Sequence, residues 1–118
     1  MAAFEAWMSC NIGQLVNPAF LPGPLFQDDA GGNLLGVRVY RDGKPEALSG
    51  NVTARISKAD GTAVSATGSI DGNEVKVILP ANSCNVPGMI RIVIRVGNTT
   101  VGCFTGNVLR TRTNTIIS

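Results

Sequence analysis

The stretch "MIRIVIRV", residues 89–96, constrains the fold of this chain more than any other segment. Apolar side chains occupy every second position from Ile90 to Val96, and Arg91 and Arg95 lie between them. Because successive side chains of a strand point to opposite faces of a sheet, this period of two predicts a strand with one buried and one solvent-facing side. A chain made of such strands closes its core by packing sheet faces together. We therefore expect an all-β protein.

Five further segments have strand composition, and turn signals separate them at intervals of about 8–12 residues. They are "LLGVRVY" (34–40), "NVTARISK" (51–58), "TAVSATGSI" (62–70), "EVKVIL" (74–79) and "TTVGCFTGNVLRTRT" (99–113). This rhythm predicts an antiparallel, immunoglobulin-like β-sandwich of about seven strands. The alternation predicts these inward side chains: Val52, Ile56, Val75, Val77, Ile92 and Ile94.

Turns explain three of the five carboxylates of residues 38–118. Asp42, Asp60 and Asp71 each precede a glycine between two predicted strands. Aspartate bonds to the backbone of such turns, and glycine adopts positive φ there. The chain has no histidine, which removes the common catalytic triads and most zinc sites. We expect no catalytic residues, no metal site, no cofactor and no enzymatic activity. The adjacent acids Asp28-Asp29 are interpreted as part of a solvated linker, and weak calcium binding by them is the alternative.

The segment "QLVNPAFLPGPLF", residues 14–26, has a different character. It carries no charge and three prolines, which favour an extended path. The preceding "AAFEAWM" could form two helical turns, which are too short to be stable alone. We therefore predict two parts: an extended N-terminal docking arm over residues 1–32 and a β-sandwich domain over residues 33–118.

Four of the six aromatic residues lie in this predicted arm. Two interpretations are open: the arm covers an edge of its own sheet, or it docks on another chain through aromatic anchors. We favour docking on another chain, in which case deletion of residues 1–26 should leave the sandwich folded. The predicted partner-binding residues are Phe4, Trp7, Phe20, Leu21 and Phe26.

Charge is divided unevenly along the chain. Residues 1–37 contain three acids and no Lys or Arg, whereas residues 38–118 contain all ten basic residues and five acids. The net charge of +2 is too small to argue for nucleic acid. A solvated sheet face explains the arginines, and the alternative is a contact face for an acidic partner. The residues of that possible face are Arg91, Arg95, Arg110 and Arg112.

The three cysteines, Cys10, Cys84 and Cys103, have no metal-site spacing, and we expect buried thiols in a reducing compartment. A Cys84–Cys103 bridge between neighbouring strands is the alternative. The first residues lack the basic region of a secretory signal, and no window approaches 18 apolar residues, so no membrane span is expected.

The order of motifs from residue 37 onward resembles a domain of tailed-phage structural proteins. The motifs are "VYRDGKPEAL", "GNV", "ADGT", "GSIDGN", an apolar strand ending in "LP", and "VPG". This order is similar to the N-terminal domain of phage baseplate upper proteins, and more similar to the domain that opens phage head-fibre proteins of gut bacteria. The resemblance covers about residues 25–118 and implies a β-sandwich that attaches something to a virion. Those fibre proteins continue into a long C-terminal part, whereas this sequence stops at "TRTNTIIS". We therefore expect the sandwich to be the whole product here.

We therefore expect a non-enzymatic virion protein, made in the host cytoplasm: a head decoration or short head-fibre protein attached through its arm to the major capsid protein or to tail and baseplate proteins. A baseplate or tail adaptor is the alternative, and a carbohydrate-binding β-sandwich is the alternative of another class. By analogy with head decorations, and because open sandwich edges need partners, we expect a homo-oligomer, with a trimer favoured. No nucleic acid or membrane partner is expected.

Overall fold

The computed structural model describes residues 5–12, 19–21, 25–26, 33–83 and 85–109, with the side chains of Phe26 and Ala81 outside that description. Ten strands lie within these ranges, together with a 3-10 turn at Ala81–Ser83. The strands are β1 (Glu5–Asn11), β2 (Ala19–Phe20), β3 (Leu25–Phe26), β4 (Asn33–Arg41), β5 (Lys44–Pro45), β6 (Val52–Ser57), β7 (Ala63–Asp71), β8 (Glu74–Leu79), β9 (Gly88–Val96) and β10 (Thr99–Leu109). The all-β prediction is confirmed, with more strands than the seven expected.

All ten strands belong to one hydrogen-bonded sheet in the order β1-β4-β8-β7-β6-β9-β10-β2. β3 lies beyond β2 along the same edge of β10, and β5 pairs with the end of β4. The strands from β4 to β10 pair in antiparallel fashion, whereas β1 on β4 and β2 and β3 on β10 pair in parallel. The N-terminal strands therefore cover both edges of the antiparallel sheet.

Strand β7 is the corner at which this sheet turns. Its residues 63–67 pair with β6, and its residues from Gly68 to Asp71 pair with β8 instead. A Cβ atom at Gly68 would overlap with the carbonyl oxygen of Lys76, so only glycine permits this approach of two backbones. The sheet curls into a half-barrel rather than the clear sandwich that was expected, because one strand belongs to both halves.

The core lies inside the curl and contains the side chains that alternation had placed there. The six predicted inward residues are all buried, and the register prediction for "MIRIVIRV" is confirmed, since Arg91 and Arg95 are exposed. β4 and β10 add further fully buried side chains, among them Leu35, Val37 and Val101. Each large side chain removed from water in this way contributes about 1.5–3 kcal/mol.

The three aspartates lie in turns, as predicted. Asp42 and Gly43 both have positive φ (53° and 80°), the conformation of a tight two-residue hairpin turn. The Asp60 carboxylate accepts hydrogen bonds from the Thr62 backbone N–H (3.0 Å) and hydroxyl (2.6 Å). Asp71 pairs with Glu74 across the turn that contains Gly72. The positive φ at Asp42 and the hydrogen bonds to Asp60 explain aspartate at those two positions, while Asp71 ends β7 at the start of its turn.

The prediction of helical turns near the N-terminus is wrong for the described residues, because Glu5–Asn11 is a strand. Parallel pairing with β4 supplies the backbone hydrogen bonds that so short a helix could not retain alone. Ala6 and Cys10 point into the core, with Met8 packed against it between them. The period of two was present here but was hidden by small and sulfur-containing side chains.

Candidate partner-binding surface

Strand β2 directs two neighbouring side chains to opposite faces of the sheet. The Leu21 N–H, just after the strand, donates to the carbonyl oxygen of Thr105 (2.8 Å), and its side chain is buried against Gly106. Phe20 points outward and is 82% exposed. The expectation that Leu21 fills a pocket on another chain is therefore corrected, since it fills one in its own core, while Phe20 is available for a partner.

Trp7 is held against its own sheet. Its ring lies over Gly36, where a Cβ atom would overlap with it. The Arg38 guanidinium carbon is 4.5 Å and the Lys76 Nζ is 5.9 Å from a ring centroid, and the indole N–H donates to Glu5 Oε2 (3.2 Å). These cation–π contacts and the close glycine place Trp7 in an intramolecular role, unlike the docking role expected for it.

The other two predicted anchors cannot be placed in the same way. Phe4 lies outside the described residues, and so does the side chain of Phe26. The Phe26 backbone pairs with Leu109 on β10, next to the fully buried Leu25. Burial of Leu25 was not predicted, because Pro22 and Pro24 precede it and no alternating pattern can be read there.

An exposed apolar patch lies on the outer face of the sheet around β10. Phe20 is the strand partner of Thr105, Met89 (64% exposed) is the partner of Asn107, and Leu109 (44% exposed) is two residues further along β10. Because paired residues point to the same face, these three side chains share the outer face of the sheet, with Thr105 and Asn107 of β10 between Phe20 and Met89. We call Phe20, Met89 and Leu109 the apolar patch. It contains three of the four large hydrophobic side chains that are exposed within the described residues.

The same outer face carries three arginines beyond the apolar patch. Arg91 and Arg95 lie on β9, and Arg55 on β6 is opposite Val93, between them. Diagonal neighbours of this kind are roughly 7–8 Å apart. Among the described residues, no carboxylate forms an ion pair with any of the three; the two ion pairs present are Arg38–Glu74 (3.2 Å) and Arg41–Glu46 (3.4 Å). Arg55 was not among the predicted contact residues, because those were chosen from one strand and its hairpin partner, whereas Arg55 lies on β6. Arg110 and Arg112 lie outside the described residues.

A groove of about 720 Å³ runs along part of this face and ends at β8. We call it the arginine groove. Its lining includes Arg55, Arg95, Ser65, Thr67, Ile78 and Pro80. Hydroxyls and guanidinium groups supply hydrogen-bond donors, whereas Ile78 and Pro80 supply apolar surface. The groove can therefore receive anionic and apolar side chains together.

Titratable groups add no second site. No group of three or more Cys, Asp or Glu side chains that could hold a metal ion occurs in the described part of the chain. The hydrogen bonds from Thr62 lower the pKa of Asp60, and burial raises the pKa of the Cys10 thiol. Cys10 and Cys103 are free thiols, while Cys84 is not among the described residues. Within the described ranges no helix has the length and apolar character needed to cross a membrane.

Comparison with known proteins identifies a shared fold. No protein-family model matches the chain, and no curated protein matches it. Among solved structures, the chain is similar to the N-terminal domain of phage TP901-1 ORF48, with a TM-score of 0.61 and 13% sequence identity. The match covers 91% of this chain and 99% of that one. At this identity the likeness shows that the two chains have the same fold.

Proposed function

We propose that this protein is a non-enzymatic structural component of a phage virion. The observation that carries the proposal is the fold, which matches the N-terminal domain of a phage protein over nearly the whole of both chains. The order of sequence motifs, which resembles phage fibre and baseplate domains, supports the same class. The absence of histidine and the use of three aspartates in turns support a binding role rather than catalysis.

The apolar patch is the proposed contact with another virion protein. Exposed apolar clusters rimmed by polar residues mark interaction surfaces in soluble proteins. Phe20 is a large aromatic side chain that packs on nothing in its own core, and aromatic anchors dominate binding energy at interfaces. The contact is thus made by the outward residues of strands whose inward residues complete the core, and not by a detached arm.

Within the virion, a head decoration or short head-fibre protein is the first choice, and a baseplate or tail adaptor is the second. Mass spectrometry of purified particles, followed by cryo-EM, tests both. We expect the chain at a fixed copy number per particle, with density on the head surface for the first choice or on the tail for the second. Absence of the chain from particles, while it is abundant in the same lysate, would contradict a virion role.

We also propose that the protein assembles as a homo-oligomer, with a trimer favoured. The outer edges of β1 and of β2 have no strand partner among the described residues, and open edges are sites of association. Light scattering coupled to size-exclusion chromatography should give three times the chain mass. A monomer at all concentrations would contradict an intrinsic trimer.

A carbohydrate-binding module is supported less well. Sugars are bound by stacking on exposed aromatic rings, and the single tryptophan is already occupied by Arg38 and Lys76. A glycan array tests this alternative, and we expect no specific binding.

A further inference from the structure

The wall of the curled sheet is open on one side of β7. Residues 63–67 pair with β6 along one edge, but pairing with β8 along the other edge begins only at Gly68. The last residues of β8, Ile78 and Leu79, pair with β4 alone. Within the described residues, the outer edge of 63–67 therefore has no strand partner, and the 3-10 turn at Ala81–Ser83 is the element that approaches β7 there.

Burial distinguishes β7 from its neighbour β6. Val64 and Ala66 pair with Ile56 and Ala54 and so point inward with them. Ile56 and Ala54 are buried, whereas Val64 and Ala66 are only half-buried. Ile70, on the part of β7 that pairs with β8, is half-buried as well, so the whole inner side of β7 is less covered than that of β6.

The arginine groove lies beside this open edge. Ser65 and Thr67 of β7 line the middle of the groove. Ile78 and Pro80 line it on the β8 side, and Arg55 of β6 and Arg95 of β9 line it on the other side of β7. A chain that paired with the free edge of residues 63–67 would pass between Ile78 of β8 and β7 itself. Its side chains would then meet guanidinium groups on one side and apolar surface on the other.

We infer that this groove binds an extended, acidic segment of a partner protein by strand addition to the free edge of β7. The open edge specifies an extended backbone, because strand addition joins main-chain N–H and C=O groups. Charge complementarity specifies carboxylates, because Arg55 and Arg95 have no acidic partner among the described residues and guanidinium groups pair well with carboxylates. Ile78, which is 54% exposed, accommodates an apolar residue between the acids.

Other polyanions fit the groove less well. Single-stranded nucleic acids and sugars are bound with the help of aromatic platforms, and none of the described residues that line this groove is aromatic. The inference rests on the groove and the edge alone, so it does not depend on a virion role and can fail or succeed separately from it.

Fluorescence anisotropy with labelled octapeptides tests the inference on the full chain. The probes are an alternating Glu–Val peptide and an alternating Lys–Val peptide. We expect the acidic peptide to bind, with an affinity that falls as salt rises, and the basic peptide not to bind. R55Q and R95Q should each weaken binding by about tenfold or more, because each removes a charge-assisted hydrogen bond. R91Q is the matched control, since Arg91 is exposed on the same face but does not line the groove.

N-methylated peptides test the strand geometry without altering the protein. An extended peptide presents alternate N–H groups to opposite sides, so methylation of one alternate set should abolish binding and methylation of the other set should leave it unchanged. The inference is overturned if the acidic peptide fails to bind at millimolar concentration or if both methylated peptides bind equally. It is also overturned if R91Q weakens binding as much as R95Q. Competition by heparin, without competition by the unlabelled acidic peptide, would overturn it as well.

Discussion

The N-terminal strands and the central strands both bury side chains completely, but they do so by different means. Ile92 lies in a nine-residue strand paired on both sides, whereas Leu25 lies in a two-residue strand paired on one side. Ile92 is held by an alternating pattern and long ladders, while Leu25 is held by the core that the other strands create. The comparison teaches that a segment unable to fold alone can still be part of a fold.

Deletion of residues 1–26 tests this comparison with the largest expected effect. It removes β1 to β3, uncovers the edges of β4 and β10, and takes away the buried Ala6, Leu21 and Leu25. We now expect the truncated chain to lose cooperative thermal unfolding and to aggregate, which reverses the expectation from the sequence. Circular dichroism and size-exclusion chromatography measure both. Truncation of residues 1–4 is the control. An unchanged melting temperature after the longer deletion would support the original prediction of a docking arm that is separate from the core.

The pair Ile92→Ala and Leu25→Ala sharpens the comparison at single residues. Both side chains are fully buried, and large-to-small changes in a packed core cost about 2–5 kcal/mol. We expect both variants to fall in this range in urea unfolding, because the N-terminal strands unfold together with the sheet. A cost below about 1 kcal/mol for Leu25→Ala alone would show that β3 opens separately.

Glycine-to-alanine changes compare close approaches in the two regions. At Gly68 the added methyl would meet the backbone oxygen of Lys76, which cannot move without shifting β8. At Gly36 it would meet the ring of Trp7, which is a side chain and can be displaced. We expect Gly68→Ala to cost about 1–3 kcal/mol, the usual range for overpacking, and Gly36→Ala to cost less. Urea unfolding of both variants measures the difference, and the reverse order would contradict the description of β7 as a rigid corner.

The smallest effect concerns the exposed turn at Asp60. Because its pKa is lowered in the folded state, the ionised carboxylate stabilises the fold above its ordinary unfolded pKa of about 3.9, and this contribution is lost as pH falls through the lower folded value. Asp60→Asn should therefore be slightly less stable than the wild type at neutral pH, and the difference should shrink below about pH 4. Thermal melts across this range measure it. If the stability difference between Asp60→Asn and the wild type did not change with pH, the effect of Asp60 would come from its hydrogen-bond geometry and not from its charge.

The sequence was informative where a side-chain pattern was long. Strands β4 and β6 to β10, their turns and the outward arginines of β9 were predictable, because alternation over six or more residues determines which face is buried. β2, β3 and β5 have two residues each and were not predictable, since no period can be read from so few positions. The arginine groove could not be predicted for another reason. It depends on the change of strand partner at Gly68, which is a feature of the tertiary structure and leaves no pattern in the sequence.

The candidate surface shows the same limit. The sequence predicted Phe20 and Leu21 alike as partner-binding residues, although strand geometry sends the two side chains to opposite faces and leaves only Phe20 exposed. Met89 and Leu109 were not predicted as contact residues, because only the pairing across β10 places them on the same face as Phe20.

The most direct test of the central claim is incorporation of a Phe20→Ser, Met89→Ser variant into phage particles. Both side chains are exposed, so the melting temperature should stay that of the wild type, while the apolar patch is lost. Lys44→Ser is the control, because Lys44 is exposed on the other half of the sheet. Quantitative mass spectrometry of purified particles should find wild-type and Lys44→Ser protein at equal copy number and the double variant strongly depleted. Equal incorporation of a stably folded double variant would contradict the claim that the protein docks on a virion through this patch.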